Sequence, residues 1–470
     1  MAEPAGYRIS RSLARFLADL FYRRVEVAGL ERVPVSGPLI VAANHHQGLM
    51  DGILLTAALP RRLRPIAKAP LFRYPVIGQI ARLAGAIPVH RRQDAGGRAA
   101  DNQAMFGAAE RALGQGDAIL IFPEGVSQPE PALMPLRTGA ARLVLGNDWG
   151  SDWVSDQERS GLATATLLPR TTLLPVGLMF HKPGTFRVGT AFVLIGEPVP
   201  TIDLEAPGPG GTGDNAVRLL TERLGGALER LIVLARDRAT LELVHAAEAI
   251  WREEMPDAAR EPKDRAAWRQ RAARADQYLA AAEPARLAAL RGRLERYTKD
   301  LDLAGLTDRD LSEGYRAAAV LRYALREGLA LLLGLPLALW GVLNHIVPYQ
   351  ATAVAVRLIK PEADVLATYK VVAGLALFPL CWALEGWTAW RLGGGAFLAV
   401  FLISLLPTGF FALSWTERLH RIRREARGLL TVLADRDLRA HLLGRRRGII
   451  AELQDLLRLV PEPVLEKTGR

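Results

Sequence analysis

The spacing of apolar residues divides this chain into four regions. Near the start, Ile9, Leu13, Phe16, Leu17, Leu20 and Phe21 recur at helical intervals, with Arg8, Arg11, Arg15, Arg23 and Arg24 between or beside them. That pattern predicts a basic amphipathic helix over residues 1–24, which either caps a domain core or lies on anionic lipid. From 25 to 206 short apolar runs at 39–43, 64–68, 86–89, 118–122, 173–180 and 192–195 alternate with helical patterns such as 99–113 and 139–145. Strands alternating with helices predict an α/β domain built on a mainly parallel sheet. Residues 147–170 are polar and contain Trp149 and Trp153, and they read as an insertion loop.

A Pro-Gly-rich linker at 207–213 opens the third region. Residues 215–327 are rich in Ala, Leu, Arg and Glu, which favours long helices with i,i+4 charge pairs. A helical hairpin or small bundle is expected over 207–327, broken once by Pro256 and Pro262.

The fourth region, 328–416, is apolar almost throughout. Residues 371–390 hold a single charge, Glu385, and 396–415 hold none. Each 20-residue run is long enough to cross a hydrocarbon core of roughly 30 Å at about 1.5 Å per residue. Residues 328–343 are uncharged but fewer, and contain Pro336, so they are expected to be re-entrant or interfacial. Arg357, Lys360 and Lys370 precede the first full run; Arg418, Arg421, Arg423, Arg424 and Arg427 follow the second; only Arg391 lies between. The positive-inside rule then predicts a transmembrane hairpin with both basic flanks in the cytoplasm, followed by a basic cytoplasmic helical tail at 417–470.

Composition supports a membrane over nucleic acid as the anionic partner. The net charge is +11, yet half of the 470 residues are hydrophobic, and no Lys/Arg–aromatic module for nucleic acid is evident. The single cysteine, Cys381, excludes an intrachain disulfide and a Cys-rich zinc site. No secretory signal is read at the N-terminus.

Candidate chemistry lies in four blocks of the α/β region. Asn44-His45-His46-Gln47-Gly48-Leu49-Met50-Asp51 falls between a predicted strand end and a predicted helix start. A carboxylate that orients an imidazole there makes a general base for a hydroxyl nucleophile. Gly85-Ala86-Ile87-Pro88-Val89-His90-Arg91 puts an Arg just past a strand, where it can bind phosphate bidentately. Phe122-Pro123-Glu124-Gly125-Val126-Ser127 sets a carboxylate at another strand end, the edge where open α/β sheets bind ligands. Leu174-Pro175-Val176-Gly177 is the fourth.

In this order the blocks resemble the four motifs of the PlsC-like glycerophospholipid acyltransferase superfamily. The longer run FPEGVSQPEPALMPLRTGAAR is similar to the branch of yeast-type glycerol-3-phosphate/dihydroxyacetone-phosphate acyltransferases and their bacterial relatives. A looser likeness extends to Pro348-Tyr349 and Ala367-Thr368-Tyr369-Lys370. The resemblance implies a PlsC-like α/β domain and a membrane-bound enzyme of phospholipid synthesis. It would move a fatty acyl group from acyl-CoA or acyl-carrier protein to a phosphorylated glycerol-type acceptor, at a bacterial inner membrane with the catalytic domain on the cytoplasmic face. It implies His45 or His46 with Asp51 as catalytic residues, Arg91 at the acceptor phosphate, and Glu124, Gly125, Ser127 and Arg137 shaping the acceptor site. Pro175 is expected to support the acyl-donor side. No metal or cofactor is implied.

Both histidines stay open as the base. His46 is separated from Asp51 by the four residues usual in the superfamily; the Asn44-His45 pair gives five, as expected in this branch, and is favoured. Gln128 stands where relatives often carry His. The double His also suggests condensation-type acyltransferases, but their spacing to Asp is shorter and they have no FPEG block. A metal site on adjacent His45 and His46 lacks a compact ligand set. A membrane-anchored lipid-binding scaffold is the alternative of another class.

Overall fold

In a computed structural model the described residues are 4–90, 103–128, 130–149, 170–181, 184–201, 203–204, 213–258, 261–313, 317–362, 365–434 and 436–465. Arg91, most of the expected insertion loop and most of the linker lie outside them.

Alternation along each strand builds the α/β domain. Its seven strands are β1 (Arg24–Ala28), β2 (Leu39–Ala43), β3 (Leu63–Lys68), β4 (Ile87–Val89), β5 (Ala118–Ile121), β6 (Thr172–His181) and β7 (Thr190–Ile195), in the order β1-β7-β6-β2-β5-β3-β4. Every neighbouring pair is parallel except β6–β7. β2 is central and buried at all five positions, the run expected of a strand covered on both faces. Leu39, Val41 and Ala43 point into one core with α1 (Ala5–Phe21) and α2 (Leu49–Ala58). Ile40 and Ala42 point into the other, shared with α4 (Gln103–Gly114), α5 (Gly139–Trp149) and the Asp214–Glu229 helix. Helix α3 (Pro75–Leu83) precedes β4 at the sheet edge.

The predicted strands agree with this sheet, and β1 is the strand the pattern did not announce. Arg24 and Glu26 interrupt its apolar residues, and the buried Glu26 pairs both with Arg24 and with Arg265 of the distant Pro262–Ala282 helix. Helix α1 caps the core through Tyr7, Ala14, Leu17, Ala18 and Phe21. Arg11 and Arg15 on it donate to Leu59 O at 2.5 Å and Ala57 O at 3.5 Å, where α2 ends with unpaired carbonyls. Its Ile9 and Phe16 remain exposed.

The third and fourth regions are arranged differently from the expected segmentation. Helices Arg238–Glu254, Pro262–Ala282 and Pro284–Ala304 contribute to one core with Leu442, Ile449 and Leu456 of Arg436–Arg458. The basic tail therefore folds back on the helical region. Buried Arg446 fixes it there, donating to both Asp308 oxygens at 2.9–3.1 Å.

Two helices are long and apolar enough to cross a membrane, Leu325–Ile359 and Leu366–Gly428. The second lies within Leu366–Ala434, which breaks at Gly394 (φ 66, ψ −161), a conformation reserved for glycine. The break makes a hairpin in which Gly386 of the first arm faces Leu398 and Phe401 of the second. Residues 328–343, expected to be short for a crossing, sit inside the continuous 43-residue helix Ala317–Ile359, so the length limit does not apply to them. This helix runs antiparallel to the second arm. Trp415 Nε1 donates to Leu331 O at 2.9 Å and Trp340 Nε1 to Ser404 Oγ at 3.0 Å. At Gly341 the backbones nearly touch, since a Cβ there would lie 2.2 Å from Thr408 O. Such small-residue approaches are the usual basis of helix packing in lipid.

Candidate active site

The site lies at the carboxyl ends of β2 and β5. β2 ends at Ala43, and Asn44 secures the next turn to β6: its Nδ2 donates to Leu178 O at 2.9 Å and its Oδ1 accepts Leu178 N–H at 2.6 Å. Gly48, at φ 56 and ψ −125, then turns the chain into α2. Asp51 falls in the first turn of that helix, where the helix dipole favours a carboxylate.

Three donors converge on one oxygen of the buried Asp51. Asp51 Oδ2 lies 2.9 Å from His45 Nδ1 and accepts the backbone N–H groups of His46 at 2.7 Å and Gln47 at 2.8 Å. A carboxylate so placed holds the proton of His45 on Nδ1 and leaves Nε2 as the basic nitrogen. Phe122 stacks on the His45 ring at 4.1 Å between centroids, which fixes its plane. The ring keeps 18% exposure while Asp51 has none, so the imidazole is reachable and its partner is dry.

His46 has a different setting. Its Nδ1 lies 3.0 Å from Gln128 O, and only its backbone reaches Asp51. Of the two open candidates, the geometry pairs His45 with the carboxylate. The extra residue between His45 and Asp51 is absorbed by turning the His46 and Gln47 amides onto the same oxygen.

Glu124 acts as a clamp between two loops. Its Oε1 accepts His45 N–H at 2.8 Å and its Oε2 accepts Met134 N–H at 3.0 Å. Burial pushes its carboxyl above the usual range, and those two N–H bonds and the neighbouring histidines pull the other way. Gly125 (φ 74) lets the Arg137 side chain lie on its backbone, where a Cβ would come 2.6 Å from Arg137 Nε. Arg137 N–H in turn donates to Pro123 O at 2.7 Å. Gln128 N–H donates to His45 O at 3.1 Å, so residues 124–128, Ser127 included, run beside the histidines.

The structure thus brings His45, His46, Asp51, Glu124, Gly125, Ser127 and Arg137 to one rim. Pro175 is not with them: it pairs with Ala42 inside the sheet, fully covered, and its carbonyl accepts Gly196 N–H at 2.9 Å. Arg91 lies outside the described residues. Sequence reasoning gave no role to Asn44 beyond its place before His45, and none to Gln47. Gln47 has two amide-group contacts, its N–H on Asp51 and its Oε1 accepting Gly184 N–H at 3.1 Å. Among the described residues, no cluster of three His, Cys, Asp or Glu is placed to hold a metal ion.

Comparison with known proteins finds similarity over the part of the chain that holds this site. Residues 24–150 match the family model described as Acyltransferase. Human 1-acyl-sn-glycerol-3-phosphate acyltransferase alpha is 32% identical over 139 residues, which are 29% of this chain and 47% of the relative. An uncharacterized Mycobacterium tuberculosis protein is 36% identical over 124 residues, 25% of this chain and 30% of its own length. An uncharacterized acyltransferase of Schizosaccharomyces pombe is 24% identical over 322 residues, 50% of this chain and 45% of its own. The chain thus spans less than half the length of these relatives. The crystal structure of PlsC, the 1-acyl-sn-glycerophosphate acyltransferase from Thermotoga maritima, aligns over 47% of this chain and 78% of that one, with 19% identity and a TM-score of 0.32. Residues 24–150, which hold the His45–Asp51 pair at the rim of their sheet, are thus the part of the chain that is similar to acyltransferases.

Proposed function

We propose that this chain is a membrane-bound O-acyltransferase that moves a fatty acyl group from an acyl-CoA or acyl-carrier-protein thioester to glycerol-3-phosphate or dihydroxyacetone phosphate. The observation that carries the proposal is the 2.9 Å contact of His45 Nδ1 with the buried Asp51, which leaves Nε2 facing out as a base. In the reaction His45 Nε2 takes the acceptor's hydroxyl proton as that oxygen attacks the thioester carbonyl. The tetrahedral intermediate collapses, the C–S bond breaks, and the departing thiolate recovers the proton from His45. The aspartate, bonded to Nδ1, holds the ring in place and stabilises the imidazolium between the two transfers.

Arg91 and Arg137 are assigned to the acceptor phosphate, Arg91 by the motif resemblance and Arg137 by its position over Gly125. The long apolar helices support a reaction at a membrane, and the basic flanks of the hairpin favour the cytoplasmic face of a bacterial inner membrane. A 1-acylglycerol-3-phosphate acceptor is the second reading, supported by the similarity to the human 1-acyl-sn-glycerol-3-phosphate acyltransferase alpha. It offers the same hydroxyl near a phosphate.

Transfer of radiolabelled acyl groups by the purified chain in detergent tests the proposal, with each donor against each of the three acceptors. Labelled product from glycerol-3-phosphate or dihydroxyacetone phosphate is expected. Product from the 1-acyl acceptor alone moves the assignment to the second reading. Lipid binding without transfer to any acceptor replaces both with a non-catalytic scaffold.

A further inference from the structure

Helix α2, which carries Asp51, begins without a cap of its own. Its N-cap residue is Gly48, which has no side chain to accept the first N–H groups. The acceptor comes from 319 residues further on: Leu49 N–H donates to Thr368 Oγ1 at 3.1 Å. The same hydroxyl donates to Gln47 O at 3.4 Å. Thr368 stands in the first turn of the apolar Leu366–Ala434 helix, between Ala367, which is buried in the α/β core, and Tyr369. Two residues on, Lys370 Nζ donates to Gly184 O at 2.6 Å.

These bonds meet at Gln47. Gly184 N–H donates to Gln47 Oε1 at 3.1 Å, Gln47 N–H donates to Asp51 Oδ2 at 2.8 Å, and that oxygen faces His45 Nδ1. A continuous hydrogen-bonded path therefore runs from Lys370 and Thr368 at the root of the hairpin, through Gly184 and Gln47, to the dyad. Beside it Asp51 Oδ1 is buried with no hydrogen-bond partner, so the bonds that orient Asp51 all fall on Oδ2, one of them from Gln47.

We propose that Thr368 and Lys370 are positioning residues for the His45–Asp51 base, so that the root of the apolar hairpin completes the site of the α/β domain. The inference rests on the acyltransferase reading. It gives the Ala367-Thr368-Tyr369-Lys370 block a role: the block closes the N-terminus of the catalytic helix, and docking of the hairpin sets the dyad's geometry. A base displaced by a fraction of an ångström loses rate without losing substrate affinity.

The test uses the full-length chain in detergent, assayed for acyl transfer with kcat and KM measured for both substrates. Thr368→Val keeps the shape of the side chain and removes the hydroxyl. It should lower kcat by roughly ten- to a hundredfold, with both KM values and the melting temperature near wild type. Thr368→Ser should recover kcat, which a role in packing alone would not require. Thr388→Val makes the same change in the same helix, where the hydroxyl bonds only its own turn through Leu384 O, and should leave kcat unchanged. Equal kcat for Thr368→Val and wild type overturns the proposal and leaves the acyltransferase reading intact. So does a fall that Thr368→Ser fails to reverse. A wild-type chain inactive with every donor and acceptor overturns the underlying reading, and the proposal with it.

Discussion

The α/β domain and the apolar hairpin differ in what mainly holds them together. Around the dyad, order comes from polar groups taken out of water and paired: Asn44 with Leu178, Asp51 with His45, His46 and Gln47, Glu124 with His45 and Met134. In the hairpin and the helix beside it, glycines let the helices close in, backbone to backbone at Gly341 and against side chains at Gly386 and Gly409, with leucines and tryptophans such as Leu333, Leu384 and Trp387 left exposed. Directional bonds can aim a ring nitrogen to within a few tenths of an ångström, which chemistry requires. Close packing of small residues suits a segment whose outer surface meets apolar surroundings, where burial of oily side chains gives no drive to associate. The two modes meet where Thr368 and Lys370 enter the polar network.

Substitutions should separate the two modes. The largest effect on rate is expected from Asp51→Asn. The amide oxygen can still accept the three N–H groups and its NH2 takes the place of the unpartnered Oδ1, so the fold is kept. The lost charge should lower kcat by roughly a hundred- to ten-thousandfold in the acyl-transfer assay, with little change in melting temperature. Gly341→Val should do the reverse in kind. Its Cβ would meet Thr408 O at 2.2 Å, so the helices must part, at a cost of about 1–3 kcal/mol or more, seen as a lower melting temperature in detergent.

A smaller and pH-dependent effect is expected at Glu124. Because burial raises its carboxyl, the folded chain binds that proton more tightly than the unfolded chain. The group's contribution to stability is therefore greatest in acid, below the ordinary glutamate value, and is lost as pH rises through the raised folded value. Glu124→Gln should flatten that part of the stability–pH profile in denaturant titrations. It should also slow turnover by about tenfold, since an amide NH2 must now face the N–H of either His45 or Met134. The smallest effect is expected from Arg218→Ala, which breaks only the exposed pair with Glu222 and should change stability by less than about 0.5 kcal/mol. A large loss there would mean that the outer face of the Asp214–Glu229 helix is not the solvated surface its exposed Arg218–Glu222 pair indicates.

Much of this was legible along the chain because the signals are local. Five apolar residues at 39–43 form the central strand, and the blocks at 44–51 and 122–127 sit at strand ends as their spacing predicts. What could not be read depends on residues far apart. In strand β1 the buried Glu26 pairs with Arg265, far along the chain. The extent of the first apolar helix was hidden because Pro336 and Pro348 are carried inside it without ending it. The tail joins the helical region through an ion pair between Arg446 and Asp308. At the site itself, two adjacent histidines are equivalent in sequence, and only the fold shows that one offers its ring to Asp51 and the other its backbone. Pro175, expected to support the acyl-donor side, is a position whose depth the motif order does not give: its register with Ala42 puts it in the sheet interior.

The central claim is that His45, not its neighbour, is the base. Comparing kcat for His45→Ala and His46→Ala tests it most directly, because His46→Ala keeps the backbone N–H that bonds Asp51 while His45→Ala removes the imidazole that pairs with it. His45→Ala should lose roughly a hundred- to ten-thousandfold and His46→Ala no more than about tenfold. The opposite order, or equal small losses in both, would contradict the account.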